Sequence, residues 1–268
     1  MERTDVAIVI NTCPKYLYLL EAHFTLLRRY GASCKWPVYL ATECWDNELL
    51  KALCKKHNVH LLNLESNQAD FFESRIAAME LLPQSIEYVL PLQEDFLLER
   101  PGPDCLALED ALQQCMTNPN IASIRLMPCP GPKEPSQSCG IWKVLSSLDQ
   151  IFSYQATLWR KSIYKDYMQR LVSYSKEVYP DLAESSEAWN TYAIKTNPAE
   201  THVGLTLLKY MYPKAIHLAW PRNSARANAV YECPWPYRPT AVVKGVLEPW
   251  AAEYIRREGL YLNKNVWL

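Results

Sequence analysis

Glycine is scarce. Only seven occur in 268 residues, and none forms a Gly-x-Gly-x-x-Gly or Gly-x-x-x-x-Gly-Lys-Ser/Thr run after a strand-like segment. That excludes the dinucleotide fingerprint and the phosphate-cradling P-loop, so any phosphate has to be held by side chains or by a metal. An excess of either charge is also missing: 28 Lys plus Arg face 29 Asp plus Glu, which leaves no long-range field to attract a polyanion. Nucleic acid is therefore not an expected partner. No apolar run is long enough for a transmembrane segment, and "MERTDVAIVI" enters a five-residue run far short of a signal-peptide core. The chain reads as mature from Met1, soluble and cytoplasmic. Its nine cysteines are scattered, without Cys-x-x-Cys or a histidine at zinc spacing, and are expected to be reduced thiols packed as small hydrophobes.

What is present suits a packed core, with 49% apolar and 12% aromatic residues. "VAIVI" (6–10) is a β-branched run as in a strand buried on both faces. From Tyr16 to Tyr30 apolar residues recur at helical spacing, and Gly31 supplies a stop. Strands are predicted at 37–42, 59–64 and 88–92, with helices at 46–58 (capped by Asp46), 70–82 and 104–116. This alternation predicts a parallel, doubly wound α/β sheet whose strand-end loops line one edge, where ligands of such sheets bind. Beyond residue 120 the pattern loosens. It runs through "IASIRLM" (121–127), a proline-rich loop (128–140), "IFSYQATLWR" (151–160), a helix to about 174, a helical stretch at 184–196 and a strand at 215–220. A single domain, 1–268, with a regular half (1–100) and a less regular half (101–268), is the simplest organisation.

Within "VLPLQEDFLLERPG", Glu94 and Asp95 interrupt an apolar run at the expected end of the fourth strand. An acid pair in a loop usually only caps a turn. Here Phe96, Leu97 and Leu98 continue the apolar run, and a buried carboxylate needs a cation or hydrogen-bond donors. A hard divalent cation held by such acids could bridge phosphate oxygens.

The order "VAIVINTCPK", "PVYLATE", "FFESRIAAMELL" and "QEDFLL" resembles the nucleotide-sugar-dependent glycosyltransferases of the GT-A fold. It is similar in particular to small enzymes of large DNA viruses, the chlorovirus type, and to bacterial surface-polysaccharide enzymes. The resemblance covers about residues 5–100. It implies a GT-A-like (Rossmann-like), mostly parallel sheet flanked by helices, a nucleoside-diphosphate sugar donor, a glycan acceptor, Mn²⁺ or Mg²⁺ as cofactor and, for a viral protein, the host cytoplasm. Carried over by position, Asp95 is the metal ligand and Glu94 an acid facing ribose or sugar. Gln93 departs from the family's usual Asp-x-Asp. Asn11, Thr12 and Lys15 after the first strand, and Glu43 after the second, are implied nucleoside contacts, although each also suits a plain turn. Arg75 offers a fork of donors to a phosphate or ribose oxygen, and no acid lies three or four residues away to pair with it. Glu184 and Glu187 match the place of the catalytic base, or else complement a helix dipole. His217 in "AIHLAW" is a further metal ligand or a core histidine, and Arg222 a diphosphate clamp or a solvated loop charge. Two other functions remain open: a nucleotidyltransferase that makes a nucleotide sugar, and a non-catalytic carbohydrate-binding protein on the same fold.

Overall fold

The computed structural model describes residues 3–65, 71–128, 137–146, 149–182, 188, 192–193, 195–221, 233–238, 240–262 and 267. In the first half, strands and helices alternate: β1 (Val6–Asn11), a 3₁₀ turn (Pro14–Leu19) leading into α1 (Leu20–Tyr30), β2 (Val38–Thr42), α2 (Glu48–Lys56), β3 (Val59–Asn63), α3 (Glu73–Leu81) and β4 (Tyr88–Gln93). Then come α4 (Cys105–Thr117), β5 (Ile121–Arg125), the short β6 (Ser138–Cys139) and β7 (Trp142–Val144), β8 (Thr157–Arg160), α5 (Lys161–Val178), α6 (His202–Met211) and β9 (Ile216–Ala219). A small hairpin, β10 (Val242–Val243) and β11 (Val246–Leu247), and α7 (Pro249–Arg257) follow.

Nine strands form one sheet in the order β3-β2-β1-β4-β8-β5-β9-β7-β6. Only β7 and β8 run against the rest, as their antiparallel pairings show. The fold is α/β, with a mostly parallel sheet flanked by helices. The pleat explains the continuous apolar run of β1: Val6, Ile8 and Ile10 enter a core shared with α1, α2 and α4, whereas Ala7 and Val9 enter another shared with α3 and α5. With both faces covered, each buried Val or Ile contributes roughly 1.5–3 kcal/mol.

Strand order also locates the ligand edge. The chain steps outward from β1 to β2 to β3, then returns to place β4 on the other side of β1. The loops after β1 and β4 therefore diverge and leave a crevice at their carboxyl ends, where Asn11 pairs in register with Gln93.

Local chemistry adjusts several predicted ends. The α2 cap is Asn47, whose side chain accepts from the Leu50 amide, because Asp46 falls one residue too early. Asp104 stands outside α4 as its cap and accepts from the Leu106 and Ala107 amides. Helix α3 begins at Glu73, and the start predicted at Asp70 lies outside the described residues.

Candidate active site

At the carboxyl ends of β1, β2 and β4 a cavity of about 300 Å³ opens, lined by Asn11, Thr12, Cys13, Tyr16, Glu43, Phe71, Ser74, Arg75, Gln93 and Glu94. Each strand contributes its first residues past the ladder, and α3 with its preceding turn supplies the opposite wall. Five residues singled out from the sequence meet here: Asn11, Thr12, Glu43, Arg75 and Glu94. Asn11 is fixed by a hydrogen bond from Nδ2 to the Ser74 carbonyl (3.4 Å), and the Thr12 amide continues the ladder to the Ala41 carbonyl (3.2 Å).

Glu94 dominates the electrostatics. Burial pushes its carboxyl up to about 8, and the charges of Asp95 and Glu43 act in the same direction, against the pull of Arg75. Burial also raises Glu43 and pushes the Cys13 thiol up to about 11. The turn carrying Glu94 is held from behind by His23 of α1, whose Nδ1 donates to the Glu94 carbonyl (3.0 Å). Burial drives that imidazole down to about 4, so it is neutral and its Nδ1 carries the proton.

Arg75 is the single cationic side chain lining the cavity among the described residues. It is 6% exposed, its Nη1 donates to the Phe71 carbonyl (2.7 Å), and its guanidinium lies 3.8 Å from the Phe71 ring centroid and 5.6 Å from that of Tyr154. Behind it, a chamber of about 10 Å³ bounded by Gln93, Ser153, Tyr154 and Tyr164 has room for about one water. Tyr154 is anchored in turn by Glu200, whose Oε1 accepts from its amide (3.0 Å) while Oε2 accepts from Asn197 Nδ2 (2.5 Å).

Three expected site residues lie elsewhere. Asp95 does not line the cavity. Its Oδ2 accepts from the Val242 amide (3.2 Å), its carbonyl accepts from the Ala241 amide (3.3 Å), and its Oδ1 is enclosed without a partner. Burial pushes this carboxyl up to about 6, opposed by those backbone donors. His217 is buried in β9, shares a 2.8 Å hydrogen bond with Ser123 Oγ and packs edge-on against Trp159. Register places it level with Val89, three strands from β4, ~14 Å across the sheet and another ~13 Å short of the strand end. No single ion can bridge it and Asp95, because ligands of one ion lie within about 5 Å of each other. Lys15 is exposed, with Nζ 5.4 Å above the Tyr16 ring and against Gly245 of the C-terminal hairpin, so it is not part of the cavity wall. Glu184, Glu187 and Arg222 lie outside the described residues.

Among the described residues no three His, Cys, Asp or Glu side chains converge on a possible metal position. A closed protein cage for a metal is thus not formed by them. Two acids lining the cavity, both raised by burial, nevertheless suit a hard cation whose remaining ligands are substrate oxygens.

Sequence reasoning missed Cys13, Tyr16, Phe71 and Ser74 in the cavity lining and His23 behind it. His23 carried a usable signal, being the one ionisable residue within an otherwise apolar helical stripe. Ser74 carried none, since its role follows from the packing of α3 against the strand ends, and Tyr16 on the 3₁₀ turn after β1 reads in sequence as part of the apolar helical stripe.

No protein-family model matches the chain, and no curated protein is a significant match. Among solved structures, it is similar to the glycosyltransferase GlyE of Streptococcus pneumoniae TIGR4, with 12% identity and a TM-score of 0.45 over 85% of this chain and 47% of that one. TarS residues 1–349 of S. aureus in complex with UDP gives 13% identity and a TM-score of 0.44 over 82% and 58%. A cytidylyltransferase from Leptospira borgpetersenii gives 12% and 0.43 over 96% of both chains. The chain spans about half the length of the GlyE and TarS structures. Overlap at this level assigns no individual residue.

Proposed function

We propose that the protein is a glycosyltransferase that binds a nucleoside-diphosphate sugar in the cavity at the ends of β1, β2 and β4 and transfers the sugar to a glycan hydroxyl. The observation that carries this reading is the meeting of Glu94, Glu43 and Arg75 at the switch point of an α/β sheet that has no glycine-rich phosphate loop. A Mn²⁺ or Mg²⁺ ion, held by Glu94 with Glu43 and the donor's own oxygens, would neutralise charge on the departing diphosphate. Arg75, pinned by Phe71, presents its remaining donors to a phosphate or ribose oxygen. Asn11 and Thr12 offer amide and hydroxyl groups to the nucleoside. The base that takes the acceptor proton is assigned to Glu184 or Glu187, on the resemblance of the sequence.

A nucleotidyltransferase has to grip a triphosphate, which calls for more positive charge than the one guanidinium that the described residues bring to this cavity. A purely sugar-binding protein would release no nucleoside diphosphate from a sugar donor. Incubation with UDP-, GDP-, CDP- and dTDP-sugars, with and without Mn²⁺, tests the proposal by release of the nucleoside diphosphate. Release from one donor that is lost in Glu94→Gln and Arg75→Ala is expected. Pyrophosphate production from a triphosphate and a sugar phosphate would instead establish the nucleotidyltransferase.

A further inference from the structure

We propose that Asp95 is a positioning residue, a tether that fastens the C-terminal hairpin to the acid turn and acts on the site through Glu94 and Lys15. Its effect on turnover rests on the donor-site reading above; its structural part does not.

Two successive amides of the C-terminal segment converge on this one residue. Ala241 N–H reaches the Asp95 carbonyl at 3.3 Å, and Val242 N–H reaches Oδ2 at 3.2 Å. Asp95 is thereby the rung nearest the cavity in a series along one edge. Further along, Leu98 bridges Tyr237, the Glu99 amide donates to the Pro236 carbonyl (2.8 Å), and Tyr254 Oη donates to the Leu98 carbonyl (2.7 Å). Beneath these rungs Ala251, Tyr254 and Ile255 of α7 pack with Ala22, Leu26 and Leu97.

The hairpin carries that attachment to the cavity rim. Ala241 O accepts from the Glu248 amide (2.8 Å), Val242 and Val243 pair with Leu247 and Val246, and the turn is Lys244-Gly245 with φ of 51° and 79°. A Cβ on Gly245 would stand 2.6 Å from Lys15 Nζ, so the turn rests directly on that side chain. Lys15 in turn belongs to the segment whose Cys13 and Tyr16 line the cavity. A carboxylate committed to the hairpin in this way, and absent from the cavity wall, is placed to hold the rim in register. Its enclosed Oδ1 marks the cost of using a carboxylate there.

A tether needs an acceptor oxygen, whereas a metal ligand needs the negative charge. Asp95→Asn keeps the acceptor and Asp95→Ala removes it. Hydrogen exchange of the 241–248 amides, followed by mass spectrometry, reads the tether without any ligand. We expect exchange to rise at least tenfold in Asp95→Ala and to stay within about threefold of the parent in Asp95→Asn. Val242→Pro, which deletes the donor and leaves Asp95 intact, should loosen the hairpin as Asp95→Ala does, and it serves in its place should that variant fail to fold. Unchanged exchange in the variant lacking the acceptor or the donor overturns the tether. Titration of UDP, GDP, CDP and dTDP with Mn²⁺ supplies the second arm, and Asp95→Asn should retain the parent's affinity. Loss of Mn²⁺-linked binding in Asp95→Asn, with the hairpin still protected, would make Asp95 a metal ligand and overturn the proposal. Absence of nucleotide binding in the parent protein would refute the donor-site reading, while the exchange experiment would still decide the tether.

Discussion

Glu94→Gln keeps the shape of a buried side chain while removing its charge, and its consequences for stability can be worked from the site. In the folded protein the carboxyl titrates near 8, against an ordinary value of 4.5. A folded-state value raised in this way gives stability that is fully present below 4.5 and lost as the pH rises through 8. The whole span, 8 minus 4.5, corresponds to ~5 kcal/mol, lost progressively between those two values. His23 and His217, lowered by burial to about 4 and about 3, act with the opposite sign below pH 6.5, so the clean window is pH 7–9. Within that window the share of Glu94 is about one pKa unit, or ~1.4 kcal/mol, a shift of roughly 3–5 °C for a chain of this size. Thermal unfolding of the unliganded parent and of Glu94→Gln, followed by circular dichroism across pH 7–9, should show the variant gaining that much relative to the parent. Titrating groups that do not interact with Glu94 are common to both proteins and cancel in the difference. Parallel melting curves over the window would refute the claim that Glu94 is a desolvated acid.

Other substitutions separate binding from scaffolding. Arg75→Lys keeps the charge but loses the fork of donors, and should weaken nucleoside-diphosphate binding about 10- to 100-fold in calorimetry. His217→Leu removes the ring nitrogen bonded to Ser123 and should cost ~1–3 kcal/mol in denaturant unfolding, yet leave Mn²⁺-linked binding unchanged because the residue is remote from the cavity. His23→Leu leaves the Glu94 carbonyl without its donor, and should lower both stability, by ~1–3 kcal/mol, and donor turnover.

Much of the first half was legible because its signals are local. Continuous β-branched strands, helical apolar stripes and short connections yield β1 to β4 and α1 to α3, and their alternation implies the parallel sheet and its ligand edge. In the second half α4, the helix to about 174 (α5) and the strand at 215–220 (β9) were legible as elements, but the strand pairing was not, because the partners are distant in sequence. β8 is wedged antiparallel between β4 and β5, while β7 and β6 extend the sheet beyond β9 with three and two residues. No periodicity survives in segments so short. The C-terminal hairpin and α7 were overlooked for a related reason: they are fixed by backbone bonds to residues 95–99 rather than by a conspicuous pattern of their own.

At the site, the family resemblance together with strand-end position pointed to Asn11, Thr12, Glu43 and Glu94, all of which line the cavity, and to Lys15, which does not. Strand-end position could not tell which member of an adjacent acid pair faces the cavity, because neighbouring side chains point to opposite sides and the turn decides which is which. Here the turn turns Glu94 toward the cavity and Asp95 toward Val242. His217 shows the complementary limit: a histidine in an apolar strand takes its meaning from the residue opposite, and that residue is Ser123.

Calorimetric titration of the parent protein, Glu94→Gln and Arg75→Ala with UDP, GDP, CDP and dTDP, in Mn²⁺ and in chelator, bears most directly on the cavity as a donor site. The account requires one nucleoside diphosphate to bind the parent with a metal-linked heat, and both substitutions to weaken that binding at least tenfold. Binding that is unchanged in the two variants, or no binding of any of the four, would contradict it.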